Sequence, residues 1–373
     1  MTPPLTHATT APADPPARLQ QIERARQAVL AGAPAPGSLP PWIERSWRRC
    51  LAQGRRPHEP VAFDAVPAQV RARTQEANQG LLQSAQPVLA GLARAIAGSR
   101  YFALLTDAQG VVIAADGPID SADRRATLIS RIGVDLSEHA VGTTAIGAAL
   151  TERQPVTLHR GEHFFDDTGC YSCAGAPLWG PDGDCVGMLD VTGIDAAERP
   201  ELRHLVIQAV RSIENALVQA RPHALLLRMN WPGHPLGLEG DGLLALDADG
   251  RVVAANPVAR QMAPALAAAT GALHASDLFA LPWEQLFDAA RREVPQELPL
   301  WSGFTAAVLA HRSGSPALPA AVPLDAHGRP LREVETDLIR RTVREARGNV
   351  MEAARLLGIS RATIYRRLRG PVK

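Results

Sequence analysis

The period of the hydrophobic pattern changes twice along this chain, and those changes set the order of its elements. Up to about residue 98 apolar residues recur at helical spacing; from 102 they alternate; from 199 to 220 helical spacing returns. Recurrence at i, i+3, i+4 marks amphipathic helices, and alternation at period 2 marks half-buried strands. Helices, then strands, then a helix predict an α+β fold with an antiparallel sheet.

Residues 17–31 and 42–53 read as helices separated by the Pro/Gly break at 33–41. In WIERSWRRCLAQ, Ile43, Trp47 and Cys50 share the face expected to pack inward. Residues 64–98 hold one or two more helices, with a stripe of Leu82, Val88, Leu89, Leu92 and Ile96. Residues 102–116 read as a hairpin turning at Asp107–Gly110. Residues 133–150 open as a loop and close as a short helix. Further strands are expected at 156–158, 174–183 and 185–193, with a turn at Pro181-Asp182-Gly183. A second α+β pattern begins at Leu238. There, 242–262 give strand, Asp-Gly turn, strand, and a helix capped by Asn256 and opened by Pro257. Residues 311–330 hold four prolines and read as a linker.

At 373 residues the chain predicts two to three domains. Hydrophobic residues at 46% suffice for packed cores, and aromatics at 4% mean that those cores are built from Leu, Val, Ile and Ala. Charged residues at 21% exclude wholesale disorder. The four cysteines are too few to staple so long a chain, which excludes a disulfide scaffold. Residues 1–16 read as a disordered tail without the basic flank and apolar run of a signal peptide. No apolar run approaches the ~18 residues of a membrane span. A cytoplasmic protein without a membrane partner is expected.

Net charge is only +1, but residues 331–373 carry 11 basic against 5 acidic residues. A basic end on a neutral body points to a polyanionic partner. This end reads as three helices. The first spans 331–347 and ends at Gly348. Asn349 caps the second, with Glu352 as its capping-box partner, and Val350, Ala353, Ala354 and Leu357 form its buried stripe. After a turn at Gly358, Ser360 caps the third, anchored by Ile364 and Leu368. This is a helix-turn-helix, with Arg361, Thr363, Arg366 and Arg367 free for a groove and its phosphates.

The run GNVMEAARLLGISRATIYRRLR resembles the Fis-type helix-turn-helix that ends bacterial enhancer-binding activators. The resemblance implies that 331–347 form a dimer interface. It also implies that Ser360, Arg361, Thr363, Arg366 and Arg367 contact double-stranded DNA. Upstream, IERSWRRCLAQG, SEHAVGTTAIGAAL and residues 162–193 resemble the N-terminal region of acetoin- and glycerol-catabolism activators, which contains a GAF sensory domain. Residues 242–262 resemble the start of a PAS domain. The expected organisation is a tail (1–16), a helical N-terminal region (17–76), a GAF-like antiparallel sheet with helices (77–221), a PAS-like domain (236–310), a linker (311–330) and an all-α helix-turn-helix domain (331–373). Such activators also carry a central AAA+ ATPase that remodels polymerase. Here no GxxxxGK[ST] phosphate loop is found, and the only lysine is Lys373.

In the GAF-like region, Gly142-Thr143-Thr144 suits either contact with a small polar ligand or a helix N-cap. His139 and His163 flank it as further ligand candidates, with Cys173 at a position where the family carries a cysteine. Cys170, Cys173 and Cys185, with His163 or His159, are weak candidates for a zinc or redox site. The alternative places Cys173 and Cys185 in the core on adjacent strands, with Cys170 the more accessible thiol and Cys173 buried. No catalytic residue, cofactor or resident metal is expected. The expected function is a homodimeric, DNA-binding regulator responding to a small-molecule effector, with RNA polymerase or a related activator as a further partner. The alternatives are a co-regulator pairing with a full-length activator, or a GAF-type thiol reductase.

Overall fold

A computed structural model describes residues 15–313, except 38, 64, 269, 270 and 293, and residues 336–368, except 337, 338, 341, 345, 347 and 358. The expected tail, most of the proline-rich linker, Gly358 and much of the 331–347 segment lie outside the described residues.

Four helices come first: α1 (Pro15–Leu30), α2 (Pro41–Ala52), α3 (Ala68–Ala77) and α4 (Gln79–Ile96). Pro41 opens α2, where its missing N–H costs nothing. Ile43, Trp47 and Cys50 are buried as their spacing predicts, and so are Trp42 and Ser46.

The first sheet contains β1 (Tyr101–Asp107), β2 (Val112–Asp116), β3 (Val156–His159), β4 (Tyr171–Trp179) and β5 (Cys185–Ile194). It is antiparallel in the order β2-β1-β5-β4-β3. Helices α5 (Arg124–Ile129), α6 (Glu138–Val141) and α7 (Ala145–Glu152) cover one face together with α2. Helix α4 and the long α8 (Leu202–Ala220) cover the other. Alternation therefore sends Phe102, Leu104 and Met188 into one core, and Tyr101, Leu105, Leu189 and Val191 into the second.

The second sheet contains β6 (Leu225–Asn230), β7 (Gly242–Leu246), β8 (Val252–Ala255), β9 (Gln296–Pro299) and β10 (Thr305–Arg312). Its order is β8-β7-β6-β10-β9. Counted within each sheet, the first runs 2-1-5-4-3 and the second 3-2-1-5-4, the same arrangement with its last strand moved to the start. The sequence pattern places the start of this unit near 236, but the central strand β6 begins at Leu225. Its LLL run is buried among both neighbours, and a short apolar run shows no period. Strand β10 also continues to Arg312, one residue beyond the expected start of the linker.

The turn between β4 and β5 meets the second sheet. The Pro181 carbonyl accepts from the Ala255 N–H at 3.0 Å and from Arg260 Nη2 at 2.7 Å. Val218 of α8 packs with Leu243, Ala245 and Ala254. Asn256 caps α9 (Pro257–Met262), accepting from Ala259 N–H at 2.8 Å. Its Nδ2 also donates to Asn215 Oδ1 and the Asp241 carbonyl, both at 2.8 Å. Helices α10 (Ala265–Ala268) and α11 (Glu284–Ala289) complete this unit.

At the C-terminal end stand α12 (Val350–Leu357) and α13 (Arg361–Leu368). Ile339, Ala353, Ala354, Leu357 and Ile364 form their small core. Asn349 Oδ1 accepts from the N–H groups of Met351 at 3.1 Å and Glu352 at 3.2 Å. The Asn349 N–H, which the capping box would offer to Glu352, donates to the Ala346 carbonyl at 2.9 Å, and the Glu352 carboxylate pairs with Arg355 at 2.6 Å. No helix among the described residues is long and apolar enough to cross a membrane.

Asn256→Ala removes a cap and strands buried partners in both units. It should lower unfolding free energy by about 2–4 kcal/mol, read from urea melts.

Candidate functional site

Period-2 alternation along β4 and β5 brings Tyr171, Cys173, Asp190 and Thr192 to the face covered by α5–α7. Cys173 and Thr192 are direct cross-strand partners, and Asp190 lies between Leu104 on β1 and Gly175 on β4. The bare backbone of Gly175 lets side chains close on it: an added Cβ would stand 2.6 Å from Met188 Cε and 3.1 Å from Asp190 Oδ1. Beside these residues is a partly open cavity of about 30 Å³, lined also by Phe63, Ile129, Leu136 and Ile146. A water needs roughly 10–15 Å³, so the space holds about two.

His163 enters the cavity from the loop between β3 and β4. Its Nδ1 lies 2.9 Å from the Arg160 carbonyl, so Nδ1 carries the proton and Nε2 faces Cys173 Sγ at 3.6 Å. Burial pushes the imidazole down to about 4, leaving it neutral. Helix α1 fixes the loop through Arg26, which donates to the carbonyls of His163 at 2.9 Å and Phe164 at 2.8 Å and pairs with Asp166. Helix α2 adds Trp47, whose Nε1–H donates to the Glu162 carbonyl at 2.8 Å.

Of the sequence-derived ligand candidates, Thr144, His163 and Cys173 meet in the cavity. Thr144 also caps α7, accepting from the Gly147 N–H at 3.1 Å. The others lie elsewhere. His139 is exposed at the end of α6, and its carbonyl accepts from Arg55. Thr143 turns toward α2 and bonds Ser46 Oγ at 2.7 Å. Gly142 has φ +69°, and a Cβ there would stand 2.7 Å from the Phe165 ring. Its need for glycine comes from backbone conformation and ring packing.

The cysteines do not form a common site. Cys185 pairs with Trp179, six residues along β4 from Cys173, a span of ~20 Å. Cys170 Sγ points to the Asp167 carbonyl. All four thiols are free, and no three His, Cys, Asp or Glu side chains among the described residues gather to hold a metal. Cys173 is half-buried because it borders the cavity. Burial, and then the nearby Asp190, hold its thiol well above the ordinary value. A protonated thiol beside a neutral imidazole is a poor nucleophile.

Asp190 is 1% exposed, and sequence reasoning missed it. Its Oδ2 accepts from Thr192 Oγ1, while Oδ1 has no hydrogen-bond partner. Burial pushes the carboxyl up to about 7. The available signal was one carboxylate inside the apolar run GMLDVTG, since unpaired Asp is rarely fully buried.

In the helix-turn-helix, Ser360 Oγ accepts from the Thr363 N–H at 3.1 Å and lies 2.9 Å from Thr363 Oγ1. Both hydroxyls therefore serve the cap of α13. Arg361 is exposed. The side chains of Arg366 and Arg367 lie outside the described residues.

The helix-turn-helix that follows the two-sheet α+β body matches, at residues 330–369, the Fis family of bacterial regulatory proteins. Residues 19–215, more than half the chain, match the MimR N-terminal domain, and the chain belongs to that family. It is 33% identical over 270 residues to the acetoin catabolism regulatory protein of Cupriavidus necator, a match covering 70% of this chain and 39% of that one. It is 29% identical over 235 residues to the propane 2-monooxygenase operon transcriptional activator MimR of Mycolicibacterium goodii, covering 60% and 39%. The chain thus spans about two-fifths of the length of these curated relatives. Among solved structures, the E. coli DhaR(N)–DhaL complex is similar at 15% identity and TM-score 0.45, covering 74% of this chain and 100% of that one.

Asp190 titrates at about 7 in the folded chain against an ordinary 3.8. Its contribution is complete below the lower value and is lost as pH rises through the higher. Asp190→Asn should therefore raise Tm relative to the parent chain more at about pH 8 than at about pH 5, measured by calorimetry.

Proposed function

We propose that the chain is a transcriptional regulator that binds double-stranded DNA as a homodimer through residues 331–373. It senses a small molecule in the first, GAF-like sheet. The observation that carries this reading is a capped helix-turn-helix at residues matching the Fis family, in the most basic part of the chain. Of the sequence-derived DNA contacts, Arg361, Arg366 and Arg367 supply guanidinium groups for base edges and phosphates. Ser360 and Thr363 set the start of the recognition helix. Residues 77–221 act as the sensor, with Thr144, His163 and Cys173 at the effector, and the PAS-like unit (225–312 as folded) joins it to the DNA-binding end. The relatives' names speak of acetoin and propane oxidation, which favours a small organic effector here.

Arg361→Ala should weaken binding to a selected cognate duplex by about 1–3 kcal/mol, measured by fluorescence anisotropy. Undiminished binding by a chain ending at Pro330 overturns the assignment.

Regulation here proceeds without ATP-driven polymerase remodelling. A phosphate loop needs its lysine, and the sequence has none before residue 373. Purified protein should release phosphate from ATP no faster than a mock preparation. The protein acts alone or beside a full-length activator sharing these modules; native mass spectrometry of complexes from its own cell separates the two.

A further inference from the structure

The chain has three tyrosines, and the fold treats one of them differently. Tyr101 and Tyr171 are 2% and 5% exposed, and their hydroxyls donate to the Ala197 carbonyl at 2.7 Å and the Arg125 carbonyl at 3.3 Å. Tyr365 stands on α13 and is 52% exposed. Its neighbours on that helix are accounted for. Ile364 is fully buried against the small core that holds Ala353 and Leu357. The Ser360 and Thr363 hydroxyls, 2.9 Å apart, serve the cap. Arg361 and Tyr365 remain, and both are exposed. Residues four apart on a helix share a face, with Cβ atoms about 5–6 Å from each other. Among the described side chains of α13, that face is therefore one guanidinium and one phenol ring.

Against duplex DNA the ring meets a short list of groups. Paired bases are stacked on one another, so the ring has no open base face to stack on, as it would in a single strand. Phosphates and most of the base edge are polar. The apolar group that a base pair presents in the major groove is the thymine 5-methyl. We propose that Tyr365 is a base-specificity residue: its ring covers the 5-methyl group of a thymine lying within about two base pairs of the guanine that Arg361 reads. This rests on residues 331–373 being the DNA-binding end. The spacing follows from the helix. Four residues at ~1.5 Å each separate the two side chains by ~6 Å along its axis, about two base steps of ~3.4 Å. A hydroxyl bonded to phosphate would place the helix without reading sequence. The ring against a methyl separates thymine from cytosine, which has none.

The test uses the full chain and a duplex that it selects from a random-sequence pool. Each thymine of that duplex is replaced in turn by deoxyuridine, which removes the methyl and leaves the protein untouched, and binding is read by fluorescence anisotropy. One thymine per half-site, within about two base pairs of the guanine whose replacement Arg361→Ala no longer senses, should carry a methyl effect of about threefold to tenfold. Tyr365→Phe keeps the ring and should keep that effect. Tyr365→Ala should bind the thymine and uracil duplexes equally, with the affinity that the parent chain has for uracil or below it. A parent chain indifferent to uracil at every position, or a selected duplex with no thymine in that range, would overturn the role of Tyr365 while leaving DNA binding in place. A methyl effect that survives Tyr365→Ala, or is lost in Tyr365→Phe, would overturn the ring contact. A pool from which no duplex is enriched would overturn the DNA-binding reading itself.

Discussion

The first sheet is covered on both faces, and that constraint shapes the rest of the molecule. A sheet solvated on one side can turn polar residues outward; this one cannot. Each polar side chain on β4 and β5 must find a partner inside. Cys173, Thr192 and Asp190 satisfy one another in a chain that reaches His163 at one end and stops at Asp190 Oδ1 at the other. At that end the Met188 methyl and the Asp190 carboxyl pack against the bare backbone of Gly175.

The N-terminal helices are part of the same unit. Ala25 and Val29 of α1, and Trp42, Ile43, Trp47 and Cys50 of α2, belong to the core that also holds Phe102, Leu104 and Met188. Arg26 and Trp47 then satisfy backbone carbonyls of the 161–164 loop, which would otherwise be buried without partners. These bonds hold His163 against Cys173. Arg18 pairs with the buried Glu162, whose carboxylate also accepts from the His159 N–H at 2.7 Å. The family match beginning at residue 19 covers these helices, in keeping with their place in one core.

What the sequence made legible follows from how far apart the causes lie. Local causes were readable: the packing face of α2, the turn at Pro181–Gly183, the Asn256 and Asn349 caps, and the stripe of α12. Each depends on residues a few positions apart. The cavity depends on pairings across the sheet, so Thr192 opposite Cys173 and Asp190 beside Gly175 carry no local signature. His139, Gly142 and Thr143 cluster in sequence with Thr144, yet His139 lies in α6 and the other three in the link between α6 and α7, and of the four only Thr144 reaches the cavity. Strand β6 was hidden because a strand buried among its neighbours does not alternate.

The β4–β5 hairpin joins the cavity to the rest of the chain. Its strands carry Cys173, Asp190 and Thr192 at one end, and its turn presents the Pro181 carbonyl to Ala255 and Arg260 at the other. An antiparallel hairpin is stiff along its length, because each strand fixes the register of its partner. Helix α8 packs on β4 and β5 and continues onto β7 through Val218, while Asn215 ties it to Asn256. The cavity and the second sheet are therefore linked by a continuous hydrogen-bonded and packed path.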